Sequence, residues 1–295
     1  MFFPIKYDEP LFRPPSEAYS LILQVTIGCS WNKCSFCEMY TSKKFRVRHE
    51  EEVFREIQEV KDRGYDVRKV FLADGNAMVL STLKLLRILN KLNETFPKLS
   101  RVSTYAIAKD FEYKSIAELT ELKDAGLKLI YTGIESGNDE LLRRINKGET
   151  FWSTIENLLK AKNAGMKSSI MILTGLGGKE FSKRHAQDSA KLINQLQPDY
   201  LSTLILSYPY GVDHFSQKFD GTFLEMSPME LLVEQHQFIS DLNVENVIFR
   251  SDHASNYIAL KGILSRDKDR LLKELEDAIA HPENAGLREE WQRGL

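Results

Sequence analysis

The sequence predicts an α/β fold with a parallel sheet, arranged as a partial, TIM-like (β/α)6 barrel that carries a C-terminal extension. Short apolar runs alternate six times with longer amphipathic segments along the first four fifths of the chain. Such alternation is typical of parallel strands joined by right-handed helical crossovers. A complete eight-unit barrel needs more chain than the remainder of these 295 residues offers.

Strands are predicted where short apolar runs lie between turn residues, and helices where apolar residues recur every three to four positions. The predicted strands are residues 21–26, 69–73, 102–108, 128–133, 168–173 and 200–206. The predicted helices are residues 50–63, 81–92, 115–126, 138–147, 150–164 and 182–196, with a further one that begins after Ser227. Ser115 with Glu118 and Ser227 with Glu230 have the spacing of capping boxes at helix starts.

Three regions follow from this pattern. Residues 1–20 are proline-rich and aperiodic, which predicts an N-terminal segment that wraps the surface. Residues 21–243 form the predicted barrel, and residues 244–295 form an extension packed on it. Within the extension we expect a strand at 246–250, a helix at 265–280 and a polar, solvated tail after His281.

Composition indicates a cytoplasmic protein of enzyme size. The formal net charge is -2, with 42% hydrophobic and 28% charged residues, so the global balance does not favour a nucleic-acid partner. An odd, clustered set of three cysteines argues for a reducing compartment rather than a secreted disulfide framework. The first residues lack the basic and apolar regions of a signal peptide, and no apolar stretch has the length of a membrane span.

Residues 28–37 contain every cysteine of the sequence: Cys29, Cys34 and Cys37. Three thiolates on one short loop can hold three corners of an iron–sulfur cube, whose fourth iron then stays open to another ligand. Electron-carrier clusters are usually closed by four cysteines, so a set of three favours chemistry at the open iron. A structural zinc site with His49 as fourth ligand, or thiols without metal, are the alternatives.

The motif Cys29-x4-Cys34-x2-Cys37, with Phe36 before the last cysteine, resembles the signature of the radical S-adenosylmethionine (SAM) superfamily. Its first gap is one residue longer than the commonest spacing of the family. The resemblance implies a (β/α)6 partial barrel, a [4Fe–4S] cluster on the three cysteines, and SAM bound beside Phe36. It also implies reductive cleavage of SAM to a 5′-deoxyadenosyl radical that abstracts hydrogen from a substrate, oxygen sensitivity, and a flavodoxin- or ferredoxin-like one-electron donor.

The resemblance also implies SAM contacts in the loops after the predicted strands, where ligands of parallel α/β folds collect. Asp74, Gly75 and Asn76 stand where the family has a glycine-rich motif that binds the SAM amino group; a tight polar turn is the alternative. Glu135 and Ser136 lie in a Gly-x-Glu-Ser-Gly run similar to the family's ribose-binding run. A carboxylate suits this task because it can accept two hydrogen bonds from a vicinal diol.

Two further cofactor contacts are predicted. Arg143 could face the SAM carboxylate, or it could be a solvated arginine. Gly175, Leu176 and Gly177 resemble the family's adenine-side loop. Because this run does not fit Gly-x-Gly-x-x-Gly and is expected to open no helix, a dinucleotide site is excluded. A zinc site predicts none of these loops, so together they favour the radical SAM interpretation.

The substrate is less well indicated by the sequence. The cations of residues 43–48 could bind a small molecule with a carboxylate or phosphate, or simply be solvated. Tyr210, in an aperiodic loop at 208–226, and His253, after the strand at 246–250, are the candidate catalytic residues; a lid residue and a structural histidine are the alternatives. With three cysteines in all, branches that need a second cluster, such as methylthiotransferases, are disfavoured.

Two competing functions remain open. A non-catalytic protein that binds zinc or an iron–sulfur cluster would use the barrel only to recognise a partner. A radical SAM enzyme that modifies RNA would show strong, salt-dependent RNA affinity.

Overall fold

The computed structural model describes residues 3–293; residues 1, 2, 294 and 295, at the ends of the predicted wrap and extension, lie outside the described part. Helices and strands alternate as predicted, and eight strands contribute to a mostly parallel main sheet. The strands are β1 Leu21–Gln24, β2 Thr26–Ile27, β3 Arg46–Val47, β4 Lys69–Ala73, β5 Arg101–Tyr105, β6 Leu127–Glu135, β7 Lys167–Thr174, β8 Tyr200–Ile205, β9 Ile248–Ser251 and β10 Leu260–Ile263. The α-helices are α1 Glu50–Asp62, α2 Thr82–Thr95, α3 Ile116–Asp124, α4 Asp139–Arg144, α5 Phe151–Asn163, α6 Gly178–Leu196, α7 Val212–Lys218, α8 Pro228–Ser240 and α9 Leu264–Ala280.

The chain divides into two compact units, each assembled from separate segments. The first comprises the described residues up to Asn32, Cys37–Thr132 and Glu156–Ser168. The second comprises Lys33–Phe36, Gly133–Ile155 and the described residues from Ser169 onward. The domain boundaries predicted at residues 20 and 243 stay predictions.

In the first unit, β1, β4, β5 and β6 lie side by side in this order and run parallel. Apart from Lys69 at its start, β4 is buried along its whole length, which explains why an unbroken apolar run marks it in the sequence. Tyr7 and Leu11 from the N-terminal segment pack against an apolar cluster on the sheet that includes Ile22 and Phe71. The N-terminal segment therefore covers one face of these strands.

In the second unit, β7, β8 and β9 run parallel and β10 pairs antiparallel with β9. Leu201, Thr203 and Ile205 of β8 are buried, while the residues between them are partly exposed. Helix α8 packs against α6 and α9. The carboxyl ends of β7, β8 and β9 lead into the segments that contain five of the candidate residues: Gly175, Leu176, Gly177, Tyr210 and His253.

Most predicted elements are found, with four differences from the sequence-based expectations. Helix α6 begins at Gly178, directly after the glycine run that was expected to open no helix. The loop at 208–226 contains the short helix α7, and β10 was not predicted. The tail is not fully solvated, because Arg293 is buried and donates hydrogen bonds to the Ser255 carbonyl and the Tyr257 hydroxyl.

None of the described helices combines the length and apolar character that a membrane-spanning segment needs.

Candidate active site

The cysteine loop begins in the first unit, where its backbone rests on Asp74, Gly75 and Asn76. These three residues follow β4 and are called the bed of the loop. The amide of Gly28 donates to Asp74 Oδ2 over 3.0 Å, and the amide of Gly75 donates to the Gly28 carbonyl over 3.1 Å. Asn76 accepts from the Ser30 amide at 2.9 Å and donates to the Ser30 hydroxyl at 2.8 Å. The residues predicted to bind the SAM amino group thus also fix the backbone on both sides of Cys29.

Asp74 is completely buried, and its two oxygens have different surroundings. Oδ2 accepts from the Lys43 ammonium at 2.8 Å as well as from Gly28. Oδ1 has no hydrogen-bond partner among the described residues. A buried carboxylate oxygen without a partner is costly, so its lone pairs are available to an incoming donor such as an ammonium group.

Tyr40 interacts electrostatically with Asp74 of this bed and with two of the cysteines. Burial raises the pKa of the Tyr40 hydroxyl well above its usual range, and Asp74, Cys29 and Cys37 raise it further. Tyr40 is only 4% exposed, and its hydroxyl has no hydrogen-bond partner in the part of the chain that is described. The phenol therefore stays neutral beside the thiols.

Residues 33–36 belong to the second unit, where the end of α4 holds them. The Ser35 amide donates to the Ile145 carbonyl over 2.9 Å, and the Asn146 side chain donates to the Lys33 carbonyl over 3.2 Å. Phe36 packs against an apolar cluster that includes Leu176 of the predicted adenine-side loop. Two residues predicted to contact SAM are thus brought into one cluster.

The donor set of the loop suits an iron–sulfur cluster. The three cysteines form no disulfide and are all partly exposed. Thiolates are the ligands that such clusters take, and a cluster spaces its cysteines more widely than a single ion spaces its ligands. Within residues 3–293, no three His, Cys, Asp or Glu side chains are grouped as a site for one metal ion.

Glu135, at the end of β6, has the backbone and the environment of a functional residue. Its φ of 65° lies in the left-handed region, which a residue with a side chain adopts at a cost of about 1–2 kcal/mol. The side chain turns back over Gly133, where a Cβ atom would lie 2.1 Å from Glu135 Oε1. Glu135 is 6% exposed, and its Oε2 atom has no hydrogen-bond partner among the described residues.

Lys147 is the cation that faces Glu135, and no motif in the sequence pointed to it. Its ammonium lies 3.3 Å from Glu135 Oε1 and donates to the Gly133 carbonyl over 2.6 Å. Burial lowers the pKa of Lys147, but Glu135, Glu149 and Cys34 outweigh that effect and raise it above its usual range. Burial also raises the pKa of Glu135, although Lys147 opposes it. Lys147 thus fixes one carboxylate oxygen and leaves the other available.

Ser136 and the glycine loop after β7 meet at two buried residues of the second unit, His185 of α6 and Glu234 of α8. The Ser136 hydroxyl lies 2.8 Å from His185 Nδ1, and His185 Nε2 lies 3.0 Å from the Leu173 carbonyl. Glu234 Oε1 accepts from the Gly175 amide at 2.6 Å and lies 3.7 Å from His185 Nε2. Each of the two loops predicted to contact SAM is therefore hydrogen-bonded to a buried residue of the second unit, Ser136 to His185 and Gly175 to Glu234.

The protonation states of His185 and Glu234 follow from burial. Burial lowers the pKa of His185 to about 4 and raises the pKa of Glu234 to about 7. His185 is thus neutral at pH 7, and because a carbonyl accepts at Nε2, the ring carries its hydrogen there. Nδ1 then accepts from the Ser136 hydroxyl.

The remaining predicted cofactor residue, Arg143, lies at the surface. Its side chain is 59% exposed and donates to Glu140 and Asp220. A role in binding the SAM carboxylate would require Arg143 to exchange at least one of these partners. That role stays a prediction.

The segment at 208–226 is folded around an aromatic cluster. Tyr208, Phe215, Phe219 and Phe223 are in mutual ring contact, with centroid distances from 4.8 Å between Phe215 and Phe223 to 6.2 Å between Tyr208 and Phe223. They pack in the same apolar cluster as Phe36 and Leu176. Tyr210, the candidate catalytic residue of this segment, is 65% exposed and contacts only the His214 ring at 5.3 Å among the ring pairs of the described residues.

His253 follows β9, and Ser255 contacts its ring at Nδ1. Its Nδ1 atom lies 2.9 Å from the Ser255 hydroxyl and accepts from the Ser255 amide at 3.1 Å. Nε2 has no hydrogen-bond partner in the described part of the chain. Burial and the neighbouring Arg288 lower the pKa of His253, so the ring is neutral at pH 7 and presents an N–H at Nε2.

The loop that carries His253 is fixed by residues distant in sequence. Asn256 donates to the Thr203 carbonyl and accepts from the Ile205 amide at the end of β8. Arg288, from the tail, donates to the carbonyls of His253 and Asn256 at 2.8 and 2.7 Å. The position of His253 is thus determined by the end of β8 and by the tail.

Comparison with known proteins identifies the family of the chain. A family model described as the Radical SAM superfamily matches residues 23–193. A Methanocaldococcus jannaschii protein that is provisionally named a methylthiotransferase is 26% identical over 148 residues, which are 48% of this chain and 32% of that protein. The heme chaperone HemW of Bacillus subtilis is 21% identical over 175 residues, 59% of this chain and 45% of that protein.

Among solved structures, coproporphyrinogen III oxidase (HemN) from Escherichia coli, a radical SAM enzyme, matches with a TM-score of 0.55 at 18% identity. The match covers 75% of this chain and 52% of that chain. At this identity the likeness shows the fold alone, and it confirms the predicted α/β fold. The chain spans less than half of the length of either curated relative.

Proposed function

Because the chain belongs to the radical SAM superfamily, we propose that it binds a [4Fe–4S] cluster through Cys29, Cys34 and Cys37 and cleaves SAM reductively. Membership makes it an enzyme whose cofactors are the cluster and SAM. When bound, these cofactors supply the one-electron cleavage of SAM and a 5′-deoxyadenosyl radical that removes a hydrogen atom from the substrate. The protein contributes ligation, orientation and exclusion of water.

The observation that carries this proposal is that residues 28–37, inside the matched region, contain every cysteine of the sequence. Three thiolates leave one cluster iron open, and only an open iron can bind a substrate or a second cofactor. The bed under Gly28 and Ser30 supports the same conclusion, since it uses buried polar groups to fix a short loop.

The unpartnered acceptors suggest how this chain would hold SAM. Asp74 Oδ1 would accept from the SAM ammonium, and Glu135 Oε2 would accept from a ribose hydroxyl. Both atoms are buried carboxylate oxygens that gain a hydrogen bond on binding. Phe36 and Leu176, in one apolar cluster, would contact the adenine. Gly75 and Asn76 would act mainly through the cysteine loop that they support.

We propose a reaction that needs one cluster: rearrangement, oxidation, coupling or cleavage. In this sequence all three cysteines serve the proposed cluster, so none is left as a ligand for a second one. The likeness to the methylthiotransferase covers only 32% of that protein and does not extend its reaction to this chain. No feature of the described residues favours RNA over a small anionic substrate, for which the cations of residues 43–48 remain candidates.

Other properties follow from the same proposal. Enzymes of this superfamily need an electron donor, and we propose a flavodoxin- or ferredoxin-like protein for this role. An exposed cluster iron would make the enzyme oxygen-sensitive, which together with three cysteines that form no disulfide fits the cytoplasm.

At the substrate end, His253 would donate a hydrogen bond or a proton from Nε2, and Tyr210 would line or cover the substrate. His253→Ala should therefore leave cluster content, SAM affinity and the slow substrate-free cleavage of SAM unchanged. A loss of SAM affinity in this variant would contradict a substrate-side position.

The decisive experiment is anaerobic. The protein is reconstituted with iron and sulfide, reduced with dithionite and given SAM, and 5′-deoxyadenosine is measured by liquid chromatography. We expect product from the wild type and from the matched control Ser35→Ala, and none from Cys34→Ala. Tight zinc binding without any 5′-deoxyadenosine would overturn the proposal and support the non-catalytic alternative.

A further inference from the structure

We propose that His185 and Glu234 are positioning residues that set the placement of two loops, residues 135–138 and 175–178, and thereby the affinity for SAM. This inference rests on the proposed function for the ligand, but the two residues and their contacts belong to the chain itself. Both lie on helices behind the loops rather than in the sequence motifs that point to SAM.

The first loop lies directly on the middle of α6. A Cβ atom added to Gly137 would be 2.2 Å from the Asp188 carbonyl oxygen, so loop and helix backbones are in contact. The Gly137 amide donates to the Ser189 hydroxyl over 2.9 Å, and the Asn138 side chain donates to Asp188 over 2.7 Å. Movement of this part of α6 would therefore move the loop that carries Glu135.

His185 spans from this loop to the end of β7. Its ring is 1% exposed, accepts from the Ser136 hydroxyl at one nitrogen and donates to the Leu173 carbonyl at the other. The Ser136 hydroxyl in turn accepts from the Asn138 amide at 3.0 Å. Because the ring is rigid, it fixes the distance between Ser136 and Leu173, which lies two residues before the glycine loop.

Glu234 holds the glycine loop from the other side. It is 3% exposed, and Oε1 accepts from the Gly175 amide at 2.6 Å. Gly175 has a φ of 82°, and a Cβ atom there would lie 2.6 Å from Leu231 Cδ2, so α8 leaves no room for the loop to shift toward it. Helix α8 thus supports the loop through one hydrogen bond and one close apolar contact.

A purely structural role explains these residues poorly. A buried histidine and a buried carboxylate each cost free energy of desolvation that apolar side chains of similar volume would avoid. Ser182 of α6 also hydrogen-bonds to Glu234, but Glu234 Oε2 has no hydrogen-bond partner among the described residues, so the carboxylate is only partly compensated. Every main-chain group that the pair contacts belongs to the end of β7 or to the loop after it. A role in positioning the loops explains why the main-chain contacts of His185 and Glu234 are confined to this part of the chain.

The test uses conservative and disruptive variants of each residue. His185→Gln and Glu234→Gln keep a donor or acceptor near the original atoms, whereas His185→Phe and Glu234→Leu remove the hydrogen bonds and keep the volume. Affinity for SAM is measured by calorimetry on the reconstituted, oxidised enzyme, in which SAM is not cleaved. We expect the dissociation constant to rise about tenfold or more in the disruptive variants and less than threefold in the conservative ones.

Gln235→Met provides the matched control. Gln235 is the neighbour of Glu234 on α8, is 2% exposed, and donates to the hydroxyls of Thr203 and Ser251 on β8 and β9 rather than to the loops. Its loss should leave SAM affinity unchanged, whatever its effect on the melting temperature. If Gln235→Met weakens SAM binding as much as Glu234→Leu does, the role is structural and the inference fails.

Hydrogen exchange gives a readout that needs neither SAM nor the cluster. Glu234→Leu should accelerate exchange of the Gly175 amide, and His185→Phe that of residues 136–138, while Gln235→Met leaves both unchanged. Unchanged exchange in the disruptive variants would overturn the inference. A wild type that binds no SAM, with the exchange results as expected, would instead overturn the proposed function and leave the positioning of the two loops in place.

Discussion

A Cβ atom added to Gly75 would lie 2.7 Å from both the Cα and the Cβ of Cys29. Two backbones are therefore in contact at the start of the cysteine loop, and the contact leaves no space for any side chain at position 75. The restriction comes from proximity, since the φ angle of Gly75 is not in the left-handed region. Glycine is needed here so that the loop can rest on the residues after β4.

We predict that Gly75→Ala displaces Cys29 and prevents cluster assembly. The added methyl group meets backbone atoms, which cannot move aside as the end of a flexible side chain can. Iron and sulfide bound per chain after anaerobic reconstitution should fall by more than half, with a matching loss of absorbance from the cluster.

Gly64→Ala is the control for this prediction. Gly64 has a φ of 76° and open space where an added methyl group would lie, so alanine there costs about 1 kcal/mol of stability without a clash. The control should bind iron like the wild type. Normal iron content in Gly75→Ala would show that the loop tolerates a shift of Cys29.

Gly133→Ala should act on SAM affinity through Glu135. The added Cβ would lie 2.1 Å from Glu135 Oε1, and the carboxylate can avoid it only by leaving its position next to Lys147. The fold tolerates this movement because the clash involves the end of a side chain. We expect the SAM dissociation constant to rise about tenfold while cluster content stays normal.

A double-mutant cycle tests whether Glu135 transmits the effect. Glu135→Ala alone should weaken SAM binding by a similar factor, and the double variant should be no weaker than Glu135→Ala. Additive effects would mean that Gly133 contacts SAM or its surroundings independently of Glu135.

Much of the fold could be predicted because its signals are local. Strand β4 is a run of apolar residues with helices on both sides in sequence, and its bounds were predicted to the residue. The capping boxes at Ser115 and Ser227 are confirmed by reciprocal hydrogen bonds with the residues three positions later. These signals are contained within a few consecutive residues, so the sequence displays them directly.

One element that was missed, α7, and the start of α6, which was predicted four residues too late, depend on contacts distant in sequence. Helix α7 buries only Phe215, whose partners Phe219, Phe223 and Tyr208 come together through the fold. Helix α6 starts at Gly178, whose φ of 57° and whose neighbours Leu224 and Phe223 would not admit a side chain. Two consecutive glycines ordinarily argue against a helix start, and here a tertiary contact overrides that tendency.

The same distinction applies to the candidate site. The cysteines and the Glu135 loop were visible as motifs, whereas Lys147, His185 and Glu234 were not. One signal for His185 does exist, since Phe181, His185 and Ser189 share one face of α6 at four-residue spacing and all three are buried. A polar residue within an apolar stripe predicts a buried partner, but only the topology reveals which one.

The tail should contribute to stability through Arg293. Arg293 is 5% exposed, and its guanidinium donates to the Ser255 carbonyl at 2.9 Å and stacks on the Tyr257 ring at 4.1 Å. Arg293→Met should lower the free energy of unfolding by about 2 kcal/mol, because buried acceptors lose a charged donor. Arg266→Met, at an exposed position of α9, should change it by less than about 0.5 kcal/mol, as is usual for surface sites. Urea unfolding checks both values, and equal effects would contradict the buried role of Arg293.

Glu234 should make stability depend on pH in a direction opposite to that of most carboxylates. Its pKa is raised by burial from 4.5 to about 7, so between these values the folded state keeps a proton that the unfolded state releases. Stability from this group is therefore lost as pH rises from 4.5 to 7. Glu234→Gln does not titrate, so its advantage over the wild type should grow by about 2–3 kcal/mol between pH 5 and pH 8.

His185 should make stability change with pH in the direction opposite to that of Glu234, and at lower pH. The effects of the two groups can therefore be told apart. Burial lowers its pKa from 6.5 to about 4, so the wild type loses stability as pH falls through this interval, and His185→Gln should gain relative to it below about pH 6. Gln235→Met should follow the wild-type profile at a constant offset. Urea unfolding at half-unit steps from about pH 4.5 to 8.5 measures all four proteins. Parallel profiles for Glu234→Gln and the wild type would mean that the carboxylate keeps its ordinary pKa, through solvent access or through a hydrogen-bond donor at Oε2.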